Sequence, residues 1–225
     1  MQQQILEKLI EEYREAYSAI PQDALELDLR VTIRTMQALA KGKPVSPTQL
    51  AEIWEMPIEQ VQIILKQAKE NGQAEIDANG NLVGGVLSLN PTPHEVSIGN
   101  EHLYAWCAWD AMYAPGVVGK PAQIVSKDPV TGETIRVSMT PAGVETVQPE
   151  SAVVSVVDTD VDIRGGPESS RCTQMLFFGS RESAEHWKQN RTGVFILTVE
   201  EAFELAKEFQ IEPAKRLGLV EKYAE

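Results

Sequence analysis

The sequence predicts an α+β fold, an N-terminal winged-helix-like helical part packed on a C-terminal core with a mostly antiparallel sheet. Three observations point there. Apolar residues recur at spacings of three and four over most of the first 70 positions, the period of amphipathic helices. From Ala74 onward, strand-length apolar runs alternate with turn clusters rich in Gly, Pro, Asn and Asp. Helix signatures return towards the C-terminal end, where Ser180 and Thr198 stand as N-caps.

Residues 1–29 form an acidic helical extension. Ile5, Leu6, Leu9, Ile10 and Tyr13 make its apolar stripe, Glu7, Glu11, Glu12 and Glu15 lie between them, and the segment stops near Pro21. Residues 30–90 form the winged-helix-like unit. Val31, Ile33, Met36 and Leu39 restart the pattern from Leu29 and carry it to the break at 41–44. Ser46-Pro47-Thr48-Gln49 is a capping box with proline at the first helical position, opening a helix to about Trp54. Beyond Met56-Pro57, Ile58, Val61, Ile64, Leu65 and Ala68 stripe a third helix that ends near Asn71-Gly72. Residues 74–76 and 82–89 then read as two strands around a turn at 77–81. Three helices and a hairpin are the order of a winged helix-turn-helix, which would make residues 58–70 a DNA-reading helix. Charge argues against that use. Between Arg30 and Asn90 six basic residues meet six acidic ones, and the third helix opens with Glu59, so the unit reads as a packing module.

Pro91-Thr92-Pro93 joins this unit to the α+β core, residues 91–225. The apolar, aromatic run 101–114 predicts a short buried helix that stops at Pro115-Gly116. Residues 122–126, 134–139 and 143–147 read as strands, the first two around a turn at 128–133. The runs 151–157 and 172–178 are also of strand length, with a polar loop over 158–171 between them. Ser180 caps a helix to about Gln189, residues 194–198 form one more strand, and Thr198-Val199-Glu200-Glu201 is a capping box opening a helix through Phe209.

Composition excludes several classes. The 225 residues hold 20 Lys and Arg against 33 Asp and Glu, a net charge of −13 that argues against nucleic acid as a partner. The first ten residues lack the basic start and apolar run of a signal peptide, and no stretch reaches the length of a membrane span. The expectation is a cytoplasmic protein with no membrane partner. Two cysteines, Cys107 and Cys172, are too few for a disulfide scaffold; they are either core fillers or working thiols.

The common site signatures are absent: no phosphate loop, no dinucleotide-binding glycine pattern, no His-Glu-x-x-His and no Gly-x-Ser-x-Gly. His94, His102 and His186 are scattered, which disfavours a four-ligand zinc site. What remains is Tyr104-Ala105-Trp106-Cys107-Ala108-Trp109-Asp110. On a helix, Cys107 and Asp110 share a face. A carboxylate beside a thiolate raises the thiol pKa, so Asp110 is a poor activator of a simple cysteine nucleophile. It suits another task, taking the thiol proton as sulfur bonds something soft and then handing that proton on. The plain alternative is a solvated or capping aspartate. Cys172, 65 residues downstream, is a filler if taken alone. Two thiols without other soft ligands suit a metal that accepts two sulfurs, Cu(I) or Hg(II), and exclude Mg and Ca. Tyr104, Trp106, Trp109 and Met112 either pack the core or line a pocket for an apolar group.

At these residues the sequence resembles the alkylmercury lyase (organomercurial lyase) family. The resemblance is carried by Leu103-Tyr104-Ala105-Trp106-Cys107-Ala108-x-Asp110, by Pro115 and Gly119, by Cys172 with Phe177-Phe178-x-Ser180, and by Ala184-Glu185-x-Trp187. It reaches back to Ala40-Lys41-Gly42-x-Pro44-Val45-Ser46 and forward to Glu201-Ala202-Phe203, covering roughly residues 30–210. It implies a winged-helix-like part followed by an α+β core, and protonolysis of a carbon–mercury bond to a hydrocarbon and Hg(II). Carried over by position, Cys107 and Cys172 would bind mercury, and Asp110 would shuttle the proton beside the metal. No cofactor would be required. External thiols or a mercuric reductase would take Hg(II) away. Two departures stand out: family members often carry cysteines where this chain has about Asp128 and Thr173. The competing reading is a thiol-based soft-metal sensor or transcriptional regulator, in which Cys107 and Cys172 sense metal and the winged helix binds DNA. The neutral charge of residues 30–90 counts against it. A thiol redox protein fits less well still, because the cysteines are not in a Cys-x-x-Cys arrangement.

Overall fold

The N-terminal amphipathic pattern forms two helices, α1 (Gln2–Ser18) and α2 (Gln22–Leu39), in the computed structural model, which describes residues 2–159 and 171–220. The α+β expectation is met. Helix α1 buries Leu9 and Tyr13, and α2 buries Leu29, Ile33, Met36 and Leu39. The second helix starts seven residues before the expected restart at Leu29. Pro21, at φ −52°, occupies its N-cap position, where the missing N–H costs nothing. Helices α3 (Pro47–Trp54) and α4 (Ile58–Glu70) follow as read from the sequence. The capping box is complete: Ser46 Oγ accepts from the Gln49 N–H, and Gln49 Oε1 accepts from the Ser46 N–H at 2.9 Å.

One antiparallel sheet then takes up strands from both sides of Pro91. Its members are β1 (Glu75–Ile76), β2 (Leu82–Gly85), β3 (Leu87–Ser88), β4 (His94–Ile98), β5 (Glu101–Ala105), β6 (Ala122–Lys127), β7 (Thr134–Thr140) and β8 (Gly143–Gln148). Their order is β1-β2-β3-β5-β4-β6-β7-β8. The run 82–89, expected as one strand, is divided at Val86, whose φ of 75° is an outlier for a β-branched residue. Residues 101–105, expected as the start of a helix, form β5 instead. Buried Leu103 and Ala105 alternate with exposed His102 and half-buried Tyr104, so a period of two prevails there.

Helix α5 (Ala108–Val118) begins only after this strand and runs through Pro115, which removes one hydrogen bond without ending it. It stops at Gly119, in the left-handed conformation at φ 81°. All of its residues except Val118 are buried, and it packs on α2, α7 and the large sheet. Gly116 is required by close packing: a Cβ there would lie 2.3 Å from Ile211 Cδ1.

A second sheet has the order β10-β9-β11, with β9 (Val153–Val157) between β10 (Phe177–Phe178) and β11 (Val194–Thr198). Strand β9 is buried at every position. Most of the loop expected over 158–171 lies outside the described residues. The run 172–178 is not a single strand: a 3₁₀ turn (Cys172–Gln174) precedes the two residues of β10. Helices α6 (Arg181–Lys188) and α7 (Val199–Ala206) open from Ser180 and Thr198, and the latter completes the second capping box. The chain then passes through a π-helical turn (Lys207–Ile211) into α8 (Glu212–Arg216).

Asp128 ties the turn after β6 to this second sheet. Its carboxylate accepts from the Gly179 N–H at 2.9 Å, the Ser183 hydroxyl at 2.8 Å, and the N–H groups of Val130 and Thr131. Burial pushes its pKa up, but these donors outweigh it and hold the carboxyl below its usual range. Asp128→Ala should therefore destabilise the fold by about 2–3 kcal/mol, read as a lowered midpoint in denaturant unfolding. A midpoint equal to that of the wild type would refute the tie.

Candidate active site

The site begins where β5 meets α5. Trp106 leaves the strand with its N–H donating to the carbonyl of strained Val86 at 3.0 Å. Cys107 follows in an extended conformation as the N-cap of α5, and Asp110 sits three residues on in the first helical turn. Sequence periodicity predicts both on one helix face. The fold brings them together instead as N-cap and third helical residue, the pair of positions that capping boxes use.

Cys172 arrives from the other sheet. Its 3₁₀ turn is closed by the Arg171 carbonyl, which accepts from the N–H groups of Gln174 at 3.0 Å and Met175 at 3.1 Å. Ser155, at the centre of β9, holds the far end of the segment. Its hydroxyl donates to the Gln174 carbonyl at 2.6 Å and accepts from the Leu176 N–H at 3.0 Å. The Met175 carbonyl then accepts from the Ala108 N–H at 2.9 Å. That bond satisfies the first free donor of α5 and fixes the Cys172 turn against the Cys107 end of the helix.

The Sγ atoms of Cys107 and Cys172 and a carboxylate oxygen of Asp110 consequently lie within 4.8 Å of one another. All three residues are buried, with exposures of 2%, 7% and 8%. Neither cysteine is in a disulfide. Burial pushes the Cys107 thiol well above its ordinary pKa, and the neighbouring Cys172 and Asp110 push in the same direction. Burial likewise raises Asp110 to about 7, although the Cys107 thiol and the Arg171 guanidinium pull it down. The site is thus built to keep protons on sulfur and carboxyl near neutral pH, in a setting suited to a soft, two-sulfur ligand.

None of the three histidines joins the cluster. His94 is buried against Phe177, with its Nδ1 2.9 Å from the Ser126 hydroxyl, and burial holds it neutral with a pKa of about 4. His102 and His186 are exposed. Trp106, Trp109 and Met112 are buried, whereas Tyr104 is half-buried. A groove of about 940 Å³ between α1, α2 and the C-terminal helices is lined by Tyr17 and Phe209 but by none of the three cluster residues.

Comparison with known proteins gives these residues a context. Residues 87–210 match the family model described as "MerB: Alkylmercury lyase". An alkylmercury lyase of Bacillus cereus is 37% identical over 172 residues, which cover 76% of this chain and 77% of that protein. One from Streptomyces lividans is 33% identical over 175 residues, covering 76% and 78%. The chain belongs to the alkylmercury lyase family.

The fold agrees with that of a solved structure, "Crystal structure of the mercury-bound form of MerB2". The TM-score is 0.71 at 23% identity, over 93% of this chain and 98% of the other. In this alkylmercury lyase family member the two positions where the resemblance leads one to expect further cysteines are otherwise occupied. Asp128 serves the turn tie described above, and Thr173 is exposed beside Cys172.

Sequence reasoning missed four residues around the cluster: Tyr13, Glu75, Ser155 and Arg171. Arg171 left a local signal, an arginine immediately before Cys172. The other three reach the site only through tertiary packing.

The elevated Asp110 carboxyl has a consequence for stability. Folding favours its protonated form, so the folded state is penalised as pH rises from about 4 to about 7, and the penalty is constant above that. Asp110→Asn should remove this slope. The variant should gain up to about 4 kcal/mol over the wild type at pH 8 and nothing at pH 4, measured by denaturant unfolding at both pH values. Parallel pH dependences of the two proteins would contradict a raised Asp110.

Proposed function

We propose that the chain cleaves the carbon–mercury bond of small organomercurials by protonolysis, with Cys107 and Cys172 as the mercury-binding thiols and Asp110 as the proton shuttle. The observation that carries this reading is the buried cluster of two thiols outside any disulfide and one carboxyl within 4.8 Å, in a chain of the alkylmercury lyase family.

The chemistry follows from the residue types. A thiol gives up its proton when sulfur bonds a metal as soft as mercury, and Asp110 is the adjacent acceptor for that proton. Two sulfurs on mercury donate electron density towards the organic carbon and make it a better proton acceptor. Asp110 delivers the proton to that carbon as the carbon–mercury bonding pair becomes a carbon–hydrogen bond. Overall, R–Hg–X and two thiols give R–H, Hg(II) held by two thiolates, and HX, with no change of oxidation state. No cofactor is needed for these steps. Small external thiols or a mercuric reductase then accept Hg(II).

We further propose that residues 91–225 are the catalytic part, that residues 30–90 are a winged-helix-like packing unit rather than a DNA reader, and that residues 1–29 are an N-terminal extension. The equal numbers of basic and acidic residues between 30 and 90 support the second assignment. A cytoplasmic location fits the need for reduced thiols. No described helix is long and apolar enough to cross a membrane.

Purified protein supplied with excess thiol should release benzene from phenylmercury or methane from methylmercury, followed by gas chromatography. Cys107→Ser and Cys172→Ser should each abolish release; full turnover by either variant would end the two-thiol mechanism. Asp110→Ala should still bind Hg(II) yet lose about 10²- to 10⁴-fold in rate. An unchanged rate would remove the carboxyl from the reaction.

A further inference from the structure

Among the described residues, three charged side chains other than histidine are buried: Asp110, Asp128 and Arg171. Asp110 belongs to the thiol cluster and Asp128 to the turn tie. Arg171 has no part in the chemistry above, yet it adjoins Cys172 in the chain and is only 8% exposed.

Its guanidinium packs against a pair of touching aromatic rings, whose centroids are 5.9 Å apart. It lies 5.5 Å from the ring centroid of Trp109, the residue between Ala108 and Asp110, and 5.8 Å from that of Tyr13 in α1. Tyr13 is itself fixed: its hydroxyl donates to the Val157 carbonyl at 2.7 Å, and its ring packs on Trp109 and Phe209. The backbone of Arg171 closes the turn that carries Cys172. One guanidinium nitrogen, Nη2, is buried without a hydrogen-bond partner. Plain packing does not explain such a group, because an apolar side chain would fill the space without the desolvation cost.

Charge counting supplies a reason. Hg(II) on two thiolates is neutral, and the carboxylate left after proton delivery brings the cluster to −1. In a buried site that charge needs a fixed counterpart. We propose that Arg171 is a positioning residue of the active site: clamped against the Tyr13–Trp109 pair, it holds Cys172 against the Cys107–Asp110 pair and balances the charge of the mercury-bound cluster. Helix α1, which lies outside the matched residues 87–210, thereby becomes a working part of the site. The inference rests on the mercury chemistry proposed above.

The full chain tests it through Arg171→Met, Arg171→Lys, Tyr13→Leu and the Arg171→Met/Tyr13→Leu double variant. Three properties are measured: thermal unfolding, the thiolate-to-mercury ultraviolet band on titration with Hg(II), and kcat and KM for phenylmercury. Arg171→Met should stay folded and lose about 10- to 100-fold in kcat with KM little changed, the size of effect seen when the supports of metal ligands are removed. Its ultraviolet band should weaken as Cys172 drifts from the metal. Arg171→Lys should recover much of both. Tyr13→Leu should lower kcat in the same way, and the double variant should be no worse than Arg171→Met, because both remove one clamp.

Wild-type kcat in folded Arg171→Met would overturn the proposal, as would a lysine variant no better than methionine, or losses that multiply in the double variant. If Arg171→Met does not fold, the lysine variant and Tyr13→Leu decide: wild-type kcat in a folded Tyr13→Leu overturns the clamp. A wild-type protein that neither binds Hg(II) through both sulfurs nor turns over would instead refute the lyase reading itself.

Discussion

The hydrogen bond from the Ala108 N–H to the Met175 carbonyl joins the two halves of the site. A helix beginning at Ala108 has backbone donors with no partner inside the helix, and its N-cap, Cys107, makes no side-chain capping bond. The donor at Ala108 is satisfied from the other sheet, by a carbonyl three residues after Cys172. One bond therefore caps α5 and sets the distance between thiols that are 65 residues apart in the chain. Ser155 makes the same junction rigid from the β9 side, with one hydroxyl that both donates and accepts. Because β9 is buried at every position, the anchor cannot move without disturbing the core of the second sheet.

This junction is dry, and dryness carries a cost. A carboxyl with a pKa raised to about 7 and an unpaired guanidinium nitrogen both oppose folding at neutral pH, whereas the Cys107 thiol, pushed well above its ordinary value, stays protonated there in either state. Val86, held at φ 75°, adds backbone strain at the carbonyl that receives the N–H of Trp106, the residue before Cys107. Such costs concentrated within one small volume, with a thoroughly buried α5 beside it, mark a region arranged for chemistry at the expense of stability.

The parts of the fold that could be read from the sequence are those whose hydrogen bonds close locally. The capping boxes at Ser46 and Thr198, the stripe of α4 and the strands on either side of the turn at 128–133 are set by residues within a few positions of each other. The run 101–114 misleads because its apolar density is compatible with either period. Pairing of β5 with β3 and β4 decides for a strand up to Ala105. Cys107 and Asp110 nonetheless end side by side, since a spacing of three brings residues together both along a helix face and from N-cap to third residue. The run 172–178 resembles a strand in composition, but Ser155 and Ala108 claim its backbone groups and leave only Phe177 and Phe178 for the ladder. Neither partner is a neighbour in sequence, so no local pattern could have signalled the turn.

The two tryptophans around Cys107 connect the site to the rest of the chain in opposite directions. Trp109 packs against Tyr13 of α1. Trp106 donates through Nε1 to Glu75 of β1 at 3.2 Å, and the same carboxylate accepts from the Ser88 hydroxyl and the Asn90 side-chain amide. Gly84 makes room for that carboxylate: a Cβ there would stand 2.3 Å from a Glu75 oxygen. The large sheet runs unbroken from β1 to the strands beside α5, so a change at Glu75 reaches Trp106 and through it the backbone of Cys107. The segment carrying the first thiol is thus gripped from the hairpin on one side and from α1 on the other. Segments that the sequence separates into extension, helical unit and core converge within two residues of a single sulfur atom.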